Sequence, residues 1–338
     1  MITPLNKSLM TLLFIIIGCS FTANAQQDVL YTQFMYSKLS QNAAYTGSRE
    51  ALSIRAMYRD QWTSKHDIGI EGAPKTTTFT MHSPLKKEAF ALGFFFMNDR
   101  LGLEQKNQFN VTYAYRIKLN KKIKLNIGIN SGIFWYRFNT ANAVLLNPDD
   151  NKYRSAVNRI LPDVGAGVYL YHPDFYVGAS FPNVIKGKLS GKNDYNSSAE
   201  RTVHFVFMAG GVIPVDKKKK IKIRPQVQYS YIISKTRKMP QSFDFNLSLM
   251  LFDKVNAGIQ YHTSFNNKNN DTRLTNPSTI DFMLEVWPLK QLMIGYAYDY
   301  SLSKLSSVNS GTHEIILGYE IAPKKKNKKN YQTGCYHF

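Results

Sequence analysis

Histidine is the residue type most often used for acid–base and metal chemistry near neutral pH, and this chain has seven histidines. They are His66, His82, His172, His204, His262, His313 and His337. None of them forms a His-Glu-x-x-His motif or another spacing typical of a metal site. Asp149, Asp150 and Asn151 resemble the start of a calcium loop, but the other ligand positions of such a loop are not filled. The sequence therefore predicts no metal site, and ordinary turn chemistry explains the Asp-Asp-Asn run.

The sequence also lacks the common motifs of nucleophilic and phosphate chemistry. It contains no Gly-x-Ser-x-Gly elbow and no glycine-rich phosphate loop. A lipid hydrolase embedded in a membrane is an alternative, but it would need a serine and a histidine on adjacent polar faces, and no such pair is identified. We therefore expect a protein that is not an enzyme, with no catalytic residues and no cofactor.

Lysine is the charged residue type that clusters most strongly. The chain has 43 Lys and Arg against 23 Asp and Glu, a net charge of +20. One internal run is Lys217, Lys218, Lys219 and Lys220. One interpretation of this run is a docking surface for an acidic partner, because clustered charge steers association. The alternative is a solvated turn, or lysines that contact lipid phosphates.

Residues 1–25 are typical of an export signal. Lys7 supplies the positive start, residues 9–17 supply an apolar stretch, and Ala23-Asn24-Ala25 is a small-x-small cleavage site. Lipidation of Cys19 is the alternative processing event. Export argues against a nucleic-acid partner, although the charge is strongly basic.

Segment 220–232, "KIKIRPQVQYSYI", alternates polar and apolar residues. Side chains of a strand point to opposite faces in turn, so such a segment has one polar and one apolar face. If the strand crosses a membrane, the polar face lines an interior; its members are Lys222, Arg224, Gln226 and Gln228. The apolar face then meets lipid; its members are Ile221, Ile223, Val227 and Tyr229. Pro225 has no N–H for the ladder and predicts a local irregularity.

Fourteen such segments recur along the chain. They lie near residues 50–62, 75–83, 89–98, 108–119, 122–135, 160–171, 174–181, 201–212, 220–232, 242–251, 254–263, 278–287, 292–300 and 312–321. Most have the length that a tilted strand needs to cross hydrocarbon, about 9–11 residues. Aromatic residues recur near their ends, as interfacial girdles require. These aromatic residues include Trp62, Trp135, Tyr231, Trp287 and Tyr300.

The connections between these segments alternate between long and short. The long ones cover roughly residues 63–74, 99–106, 139–159, 182–199, 233–240, 264–277 and 302–311. Long outer loops and tight periplasmic turns are typical of outer-membrane barrels. A soluble sandwich or lipocalin-like barrel would also alternate, with its apolar face inward. Strand length, aromatic ends and loop lengths favour an all-β fold: a transmembrane antiparallel up-and-down β-barrel of about 14 strands, at residues 50–322, with both ends in the periplasm.

Two further segments flank the predicted barrel. Residues 26–49 are rich in aromatic side chains, and we interpret them as a periplasmic segment that partly plugs the lumen. A periplasmic extension that packs against the barrel mouth is the alternative. Residues 323–338 form a basic C-terminal tail.

Motifs at the start of the barrel resemble one known family. "Tyr-Thr-Gln-Phe-Met" at 31–35, "Asn-Ala-Ala-Tyr-Thr-Gly" at 42–47 and "Tyr-Arg-Asp-Gln-Trp" at 58–62 look like the PorP/SprF family of Bacteroidota membrane proteins. The family's usual Asn-Pro-Ala-Tyr-Ala-Gly and Arg-Asn-Gln-Trp are slightly changed here. "APKTTTFTMHSPL" (73–85) and "SGTHEIILGYEI" (310–321) add to the resemblance. The candidate motif residues are Asn42, Tyr45, Gly47, Arg59, Gln61 and Trp62.

The resemblance implies a location and a set of partners. It implies an outer-membrane component of the type IX secretion system, which supports the secretion or surface attachment of specific large adhesins, including those of gliding motility. The expected partners are outer-membrane lipid, other secretion components and the adhesin cargo. An outer-membrane pore for a small or apolar solute is the alternative function.

Overall fold

The computed structural model describes residues 34–63, 72–85, 89–139, 157–189, 200–233, 241–265, 278–302 and 310–321. The predicted signal peptide, the basic tail and the Asp149–Asn151 run lie outside the described residues. The chain enters through 3₁₀ turns at Phe34–Tyr36 and Ala43–Tyr45, with a one-turn helix α1 at Lys38–Gln41 between them. Seventeen strands follow within the described ranges.

The strands, in chain order, are β1 Leu52–Asp60, β2 Lys75–Pro84, β3 Phe90–Leu101, β4 Glu104–Lys118, β5 Lys124–Phe138, β6 Val157–Tyr171, β7 Phe175–Phe181, β8 Gly187–Lys188, β9 Glu200–Arg201, β10 Val203–Gly211, β11 Ile213–Pro214, β12 Ile221–Ile233, β13 Gln241–Leu251, β14 Val255–Phe265, β15 Ser278–Val286, β16 Leu292–Ser301 and β17 Thr312–Ile321. Strands β8 and β9 form a separate two-stranded ladder, and β11 is a two-residue continuation of the β10 edge along β12.

The other fourteen strands form a closed antiparallel barrel. Each pairs with the next barrel strand along the chain, and β1 closes the cylinder by pairing with β17 from Leu52↔Ile321 to Asp60↔His313. Closure leaves no open sheet edge among these fourteen strands, which is the condition for crossing hydrocarbon with β-structure. The predicted fourteen-stranded barrel is confirmed.

The side chains follow the predicted alternation. On β13, Asn246 and Ser248 are 0% and 2% exposed, whereas Leu247 and Leu249 are 46% and 41% exposed. Polar side chains therefore point to the lumen and apolar ones cover the outer surface, the reverse of a soluble barrel. The four polar residues of β12 predicted to face inward, Lys222, Arg224, Gln226 and Gln228, are all buried.

Pro225 lies where one ladder is interrupted. On one side it remains in register with Leu247 of β13. On the other side, β10 ends at Gly211 and β11 begins at Ile213, so the break falls opposite Pro225. The missing N–H of proline fits this interruption.

One predicted loop is wrong. Residues 99–106 form a tight hairpin, in which Leu101 pairs with Glu104 across Gly102 and Leu103. Gly102 has φ +55°, a left-handed value that glycine adopts at little cost. The polar residues of 99–106 resemble a loop in the sequence, but they belong to the ends of β3 and β4.

No helix in the described part of the chain is long and apolar enough to span a membrane.

Candidate functional site in the barrel lumen

Residues 34–49, which we call the luminal segment, lie inside the barrel. All of them except Ser40 and Gln41 are buried. The segment contacts inward-facing side chains on two walls of the lumen, one formed by β1 and β15–β17 and the other centred on β5 and β6. The structure therefore places this part of the predicted periplasmic segment within the lumen, while residues 26–33 lie outside the described residues.

The first contact is an apolar cluster between the luminal segment and the wall of β1 and β15–β17. Phe34, Met35 and Tyr36 are 1–5% exposed. They share one buried cluster with Met57, Met283, Met293, Ala297 and Ile316. Methionine has three rotatable bonds and fills irregular gaps, so this wall can adapt to the three anchoring side chains.

The helical turn α1 then carries a lysine to the wall formed by β7 and β12. Lys38 is 0% exposed, and its Nζ donates to Gln226 Oε1 at 3.2 Å. The same Nζ lies 4.0 Å from the ring centroid of Tyr176. Tyr176 Oη also donates to Gln226 Oε1, at 3.0 Å. A cation that packs on an aromatic face and donates to an amide oxygen is stabilised by both contacts, so Lys38 fixes the segment to β7 and β12.

Asn42 fixes the next turn to the second wall. Its Oδ1 accepts the backbone N–H of Ala44 at 2.9 Å, and its Nδ2 donates to the carbonyl of Val168 on β6 at 3.0 Å. Asn126 of β5 in turn donates to the carbonyl of Ala44 at 2.9 Å. Asn42 therefore shapes the turn, and Asn42 and Asn126 together tie it to the barrel.

Glycines on the inward face of β5 and β6 make room for this turn. A Cβ at Gly128 would lie 2.4 Å from the backbone nitrogen of Ala44. A Cβ at Gly167 would lie 2.3 Å from Asn42 Oδ1. Real Cβ atoms do not approach other atoms this closely, so the turn can lie against the wall only because both positions lack a side chain.

Tyr45 and Gly47 complete the contact. The Tyr45 ring lies edge-on to Tyr169 and to His82, with centroid separations of 5.4 Å and 5.3 Å. Gly47 has φ +73°, and its N–H donates to His82 Nδ1 at 3.0 Å. A Cβ on Gly47 would lie 2.3 Å from the Cβ of Ala91, so both conformation and space require glycine here.

Two ion pairs hold the point where the luminal segment leads into β1. Arg49 pairs with Glu320 of β17, with Nε 2.8 Å from Oε1. Glu50 pairs with Lys124 of β5. Arg49 and Glu50 are adjacent in sequence, and their partners lie on β17 and β5, so the two pairs fix this point of the chain to two different strands of the barrel.

Removing the side chain of Asn42 is expected to loosen the luminal segment. Asn42→Ala leaves the Ala44 N–H without its acceptor in a buried turn, which costs about 1–3 kcal/mol. We expect faster protease cleavage within residues 34–49 in detergent, with the barrel still intact. Ser40→Ala is the matched control, because Ser40 Oγ bonds only within the segment, to the carbonyl of Ser37. Equal cleavage of Asn42→Ala and the unchanged protein would contradict the prediction.

The structure brings together only half of the predicted motif residues. Asn42, Tyr45 and Gly47 meet in the luminal segment. Arg59 lies towards the opposite end of β1, where its guanidinium is 3.4 Å from Asp299. The backbone N–H of Gln61 donates to the carbonyl oxygen of Pro74 at 2.9 Å, and Trp62 adopts φ +58°. Arg59, Gln61 and Trp62 therefore lie at the end of β1 and the start of the β1–β2 connection. This end of the strand is far from the luminal segment that contains the other three motif residues.

The predicted lysine cluster lies on an exposed short turn. Lys217, Lys218, Lys219 and Lys220 are all exposed between β11 and β12. Asp216 organises the turn, because its Oδ1 accepts the Ile221 N–H at 2.8 Å. This bond, with further backbone N–H groups, holds the pKa of Asp216 below its usual value. The turn therefore presents its lysines outward from a fixed backbone.

Sequence reasoning missed the barrel residues that receive the luminal segment. These are His82, Asn126, Gly128, Gly167 and Tyr176; Gln226 was predicted to line the interior, but its contact with Lys38 was not predicted. Their one usable signal is the presence of glycine at inward-facing positions of adjacent strands, which implies that another backbone approaches there. Within the described ranges, no group of three or more His, Cys, Asp or Glu side chains could hold a metal ion.

The sequence of this chain matches one known protein family. A family model described as "Type IX secretion system membrane protein PorP/SprF" matches residues 23–319. This match covers most of the chain and includes the luminal segment and nearly the whole barrel.

The chain belongs to the PorP/SprF family.

Family membership and the barrel fold together support an outer-membrane location and a role in type IX secretion. Membership also implies association with other components of that system. Both suggest a structural or secretion component rather than an enzyme. No curated protein matches the sequence significantly.

Solved structures resemble this PorP/SprF protein in fold. The "CymD monoaromatic hydrocarbon channel" has a TM-score of 0.52 and 9% identity, and the match covers 83% of this chain and 91% of that chain. A Pseudomonas aeruginosa FadL homologue has a TM-score of 0.43 and 11% identity, over 80% and 89% of the two chains. BamA from Haemophilus ducreyi has a TM-score of 0.42 and 8% identity, over 80% and 70%. At 9% identity, the match to the hydrocarbon channel indicates a shared fold alone.

Proposed function

We propose that this PorP/SprF protein is a closed outer-membrane docking component, which supports the secretion or surface attachment of a specific large adhesin, including adhesins of gliding motility. The observation that carries the proposal is the luminal segment. Phe34 to Gly47 contact opposite walls of the lumen through buried apolar packing and hydrogen bonds. A filled lumen supports a role in holding other proteins better than a role as an open solute pore.

The end of the barrel that carries the short turns is predicted to face the periplasm, and it supplies a surface for a periplasmic secretion component. Lys217 to Lys220 are exposed on a turn whose backbone is fixed by Asp216. Lys254 and Lys290 are exposed on the β13–β14 and β15–β16 turns, so positive charge recurs along this rim. A rim of this charge attracts an acidic protein surface and raises the rate of encounter.

Co-purification tests the proposal as a whole. The full-length protein, tagged at a position that preserves export, is extracted from outer membranes in mild detergent and its partners are identified by mass spectrometry. We expect a secretion component and a large surface adhesin. If neither co-purifies from cells that export adhesins, and vesicles containing the protein alone take up small apolar solutes, the pore becomes the better assignment.

Reversing charge on the lysine turn is expected to lower adhesin export. Lys217→Glu with Lys218→Glu replaces attraction to an acidic partner by repulsion, and we expect association to slow by about tenfold or more. The measurement is the amount of large adhesin on intact cells. Lys186→Glu with Lys188→Glu is the matched control, because these lysines are exposed in the long connection after β7, at the other end of the barrel. Normal export by the first variant would remove the docking interpretation.

A further inference from the structure

A row of basic and amide side chains crosses the outer face of five adjacent strands, near the end of the barrel opposite the short turns. The strand register pairs its members, which we call the basic row, in this order: Lys75 of β2, Arg100 of β3, Gln105 of β4, Arg137 of β5 and Asn158 of β6. The buried neighbours Thr76, Asp99 and Tyr136 take the inward positions of these strands. Because side chains of a strand alternate between its faces, the basic row points away from the lumen.

The protein itself compensates little of the charge in this row. Lys75 and Arg100 lie directly opposite one another in the β2–β3 ladder, an arrangement in which like charges destabilise a sheet. Asp60 of β1 approaches the Lys75 ammonium to 3.7 Å, but both side chains are exposed to solvent, where such pairs are weak. Within the described ranges, no ion pair engages Arg100 or Arg137. An anion outside the protein can therefore meet both guanidinium groups.

Trp135 orders one end of the basic row and marks its level in the membrane. The Arg137 guanidinium lies 4.9 Å from the ring centroid of Trp135, and the indole Nε1 donates to Asn158 Oδ1 at 2.5 Å. Tryptophan prefers the level of the lipid headgroups. Arg137 follows Trp135 by two residues, about 7 Å further along the strand and away from the barrel middle. The basic row therefore lies at the height of charged headgroups.

An apolar strip lies beside the basic row, towards the middle of the barrel. Its members Phe79, Phe96, Phe109 and Ile133 are paired in that order across β2–β5. The rings of Phe96 and Phe109 are 4.8 Å apart, and Ile133 is 44% exposed. The outer surface thus joins cations to an apolar strip, as an anionic group attached to hydrocarbon chains would require.

We propose that the basic row binds the phosphate group of a phosphorylated lipid, whose acyl chains cover the apolar strip. Guanidinium forks match phosphate oxygens in geometry, and the exposed lysine adds a third cation. Long connections of such barrels face the cell exterior, so the lipid belongs to the outer leaflet. The tight hairpin at Gly102 and Leu103 keeps Arg100 close to the membrane boundary. The proposal requires the membrane location but not the role in secretion.

Native mass spectrometry of the full mature protein in detergent provides the test. The delipidated protein is titrated with monophosphoryl lipid A and, in parallel, with the same lipid after enzymatic removal of its phosphate. We expect a saturable adduct with the phosphorylated lipid and about tenfold weaker binding without the phosphate, because the guanidinium groups then lose their acceptor. Equal affinity for both lipids would overturn the proposal. Retention of hexaglutamate in place of the lipid would also overturn it and assign the basic row to an acidic protein.

Matched double variants locate the site. Arg100→Gln with Arg137→Gln removes two exposed cations, and we expect the lipid to bind about tenfold more weakly. Lys121→Gln with Lys122→Gln removes the same charge from the exposed β4–β5 turn, at the other end of the barrel, and should leave the affinity unchanged. Gels run with and without boiling check that both variants are folded. No loss in the first variant, or an equal loss in both, would contradict the proposal.

Asp60→Asn is expected to act in the opposite direction. It removes the carboxylate beside Lys75 and keeps the shape of the side chain, so the lipid should bind about threefold more tightly. A basic row that served only the stability of the barrel would not produce this gain. Unchanged or weaker binding by folded Asp60→Asn protein would count against a lipid phosphate at the basic row.

Discussion

Deletion of residues 34–47 is expected to turn a closed barrel into an ion-conducting one. This stretch provides the apolar anchor of Phe34 to Tyr36, the buried contact of Lys38 with Gln226 and the turn held by Asn42, all inside the lumen. Without it, the polar inward faces of the strands would line a water-filled channel, because nothing else in the described ranges crosses the lumen in its place. The measurement is single-channel conductance in planar bilayers, and we expect a change from background current to resolvable steps.

The control for this deletion must separate an empty lumen from a damaged barrel. Folded barrels run differently from unfolded chains on gels without heating, so the deleted and unchanged proteins are compared with and without boiling. The second control keeps the whole luminal segment and carries Ser40→Ala. This change removes the bond from Ser40 Oγ to the carbonyl of Ser37 and alters no contact with the barrel wall. If the deleted protein is folded and conducts no more than the unchanged one, the luminal segment does not close the lumen.

A single methyl group at residue 128 is expected to displace the same segment. Gly128→Ala would place its Cβ 2.4 Å from the Ala44 nitrogen and 2.5 Å from the Ala43 carbonyl carbon. Both are backbone atoms of a turn held by Asn42 and Asn126, so they cannot move aside as a flexible side chain would. Overpacking of this kind costs about 1–3 kcal/mol. We expect increased protease cleavage within residues 34–49 and intermittent conductance.

Gly295→Ala is the matched control for Gly128→Ala. Gly295 belongs to β16 and is in register with Ile316 and Glu285, both buried residues. The nearest atom to an added Cβ there is Glu285 Cγ at 3.4 Å, an ordinary contact. Both variants add the same methyl group to a barrel strand, but only one of them adds it against the luminal segment. Equal protease resistance of the two variants would show that the turn at Ala43 and Ala44 tolerates displacement.

The two predictions test different parts of one arrangement. Deletion removes the contacts with both walls, whereas Gly128→Ala disturbs only the wall of β5 and β6. If the methyl group releases the turn but conductance stays low, the apolar anchor at Phe34 to Tyr36 holds the lumen closed by itself. Such an outcome would place the main energetic contribution in the contacts with Met57, Met283 and Ile316.

The sequence by itself determined the barrel. Each of the fourteen alternating segments became a barrel strand, because a strand presents successive side chains to opposite faces and lipid tolerates only apolar ones. The inward positions of Lys222, Arg224, Gln226 and Gln228 followed from the same rule. The family resemblance was also present in the motifs at 42–47 and 58–62, and the family model confirms it.

The sequence pattern failed to separate strand ends from loops, because polar residues are common in both. Residues 99–106 look like a loop because they are charged and polar, yet they extend β3 and β4 to a two-residue hairpin. In a membrane barrel, polar and apolar residues alternate only where one face of the strand meets lipid. Strand ends with polar residues on both faces therefore cannot be told from loops by pattern alone.

Only the tertiary structure decided what fills the lumen. Alternation shows that a side chain points inward, but not which residue it meets across the cylinder, because that depends on register, strand tilt and closure. His82, Gly128, Gly167 and Gln226 are far apart in the sequence, and they become one receiving surface only when β1 pairs with β17 and the sheet curves round. For the same reason the motif residues Asn42 and Arg59, which are close in sequence, serve separate regions of the barrel.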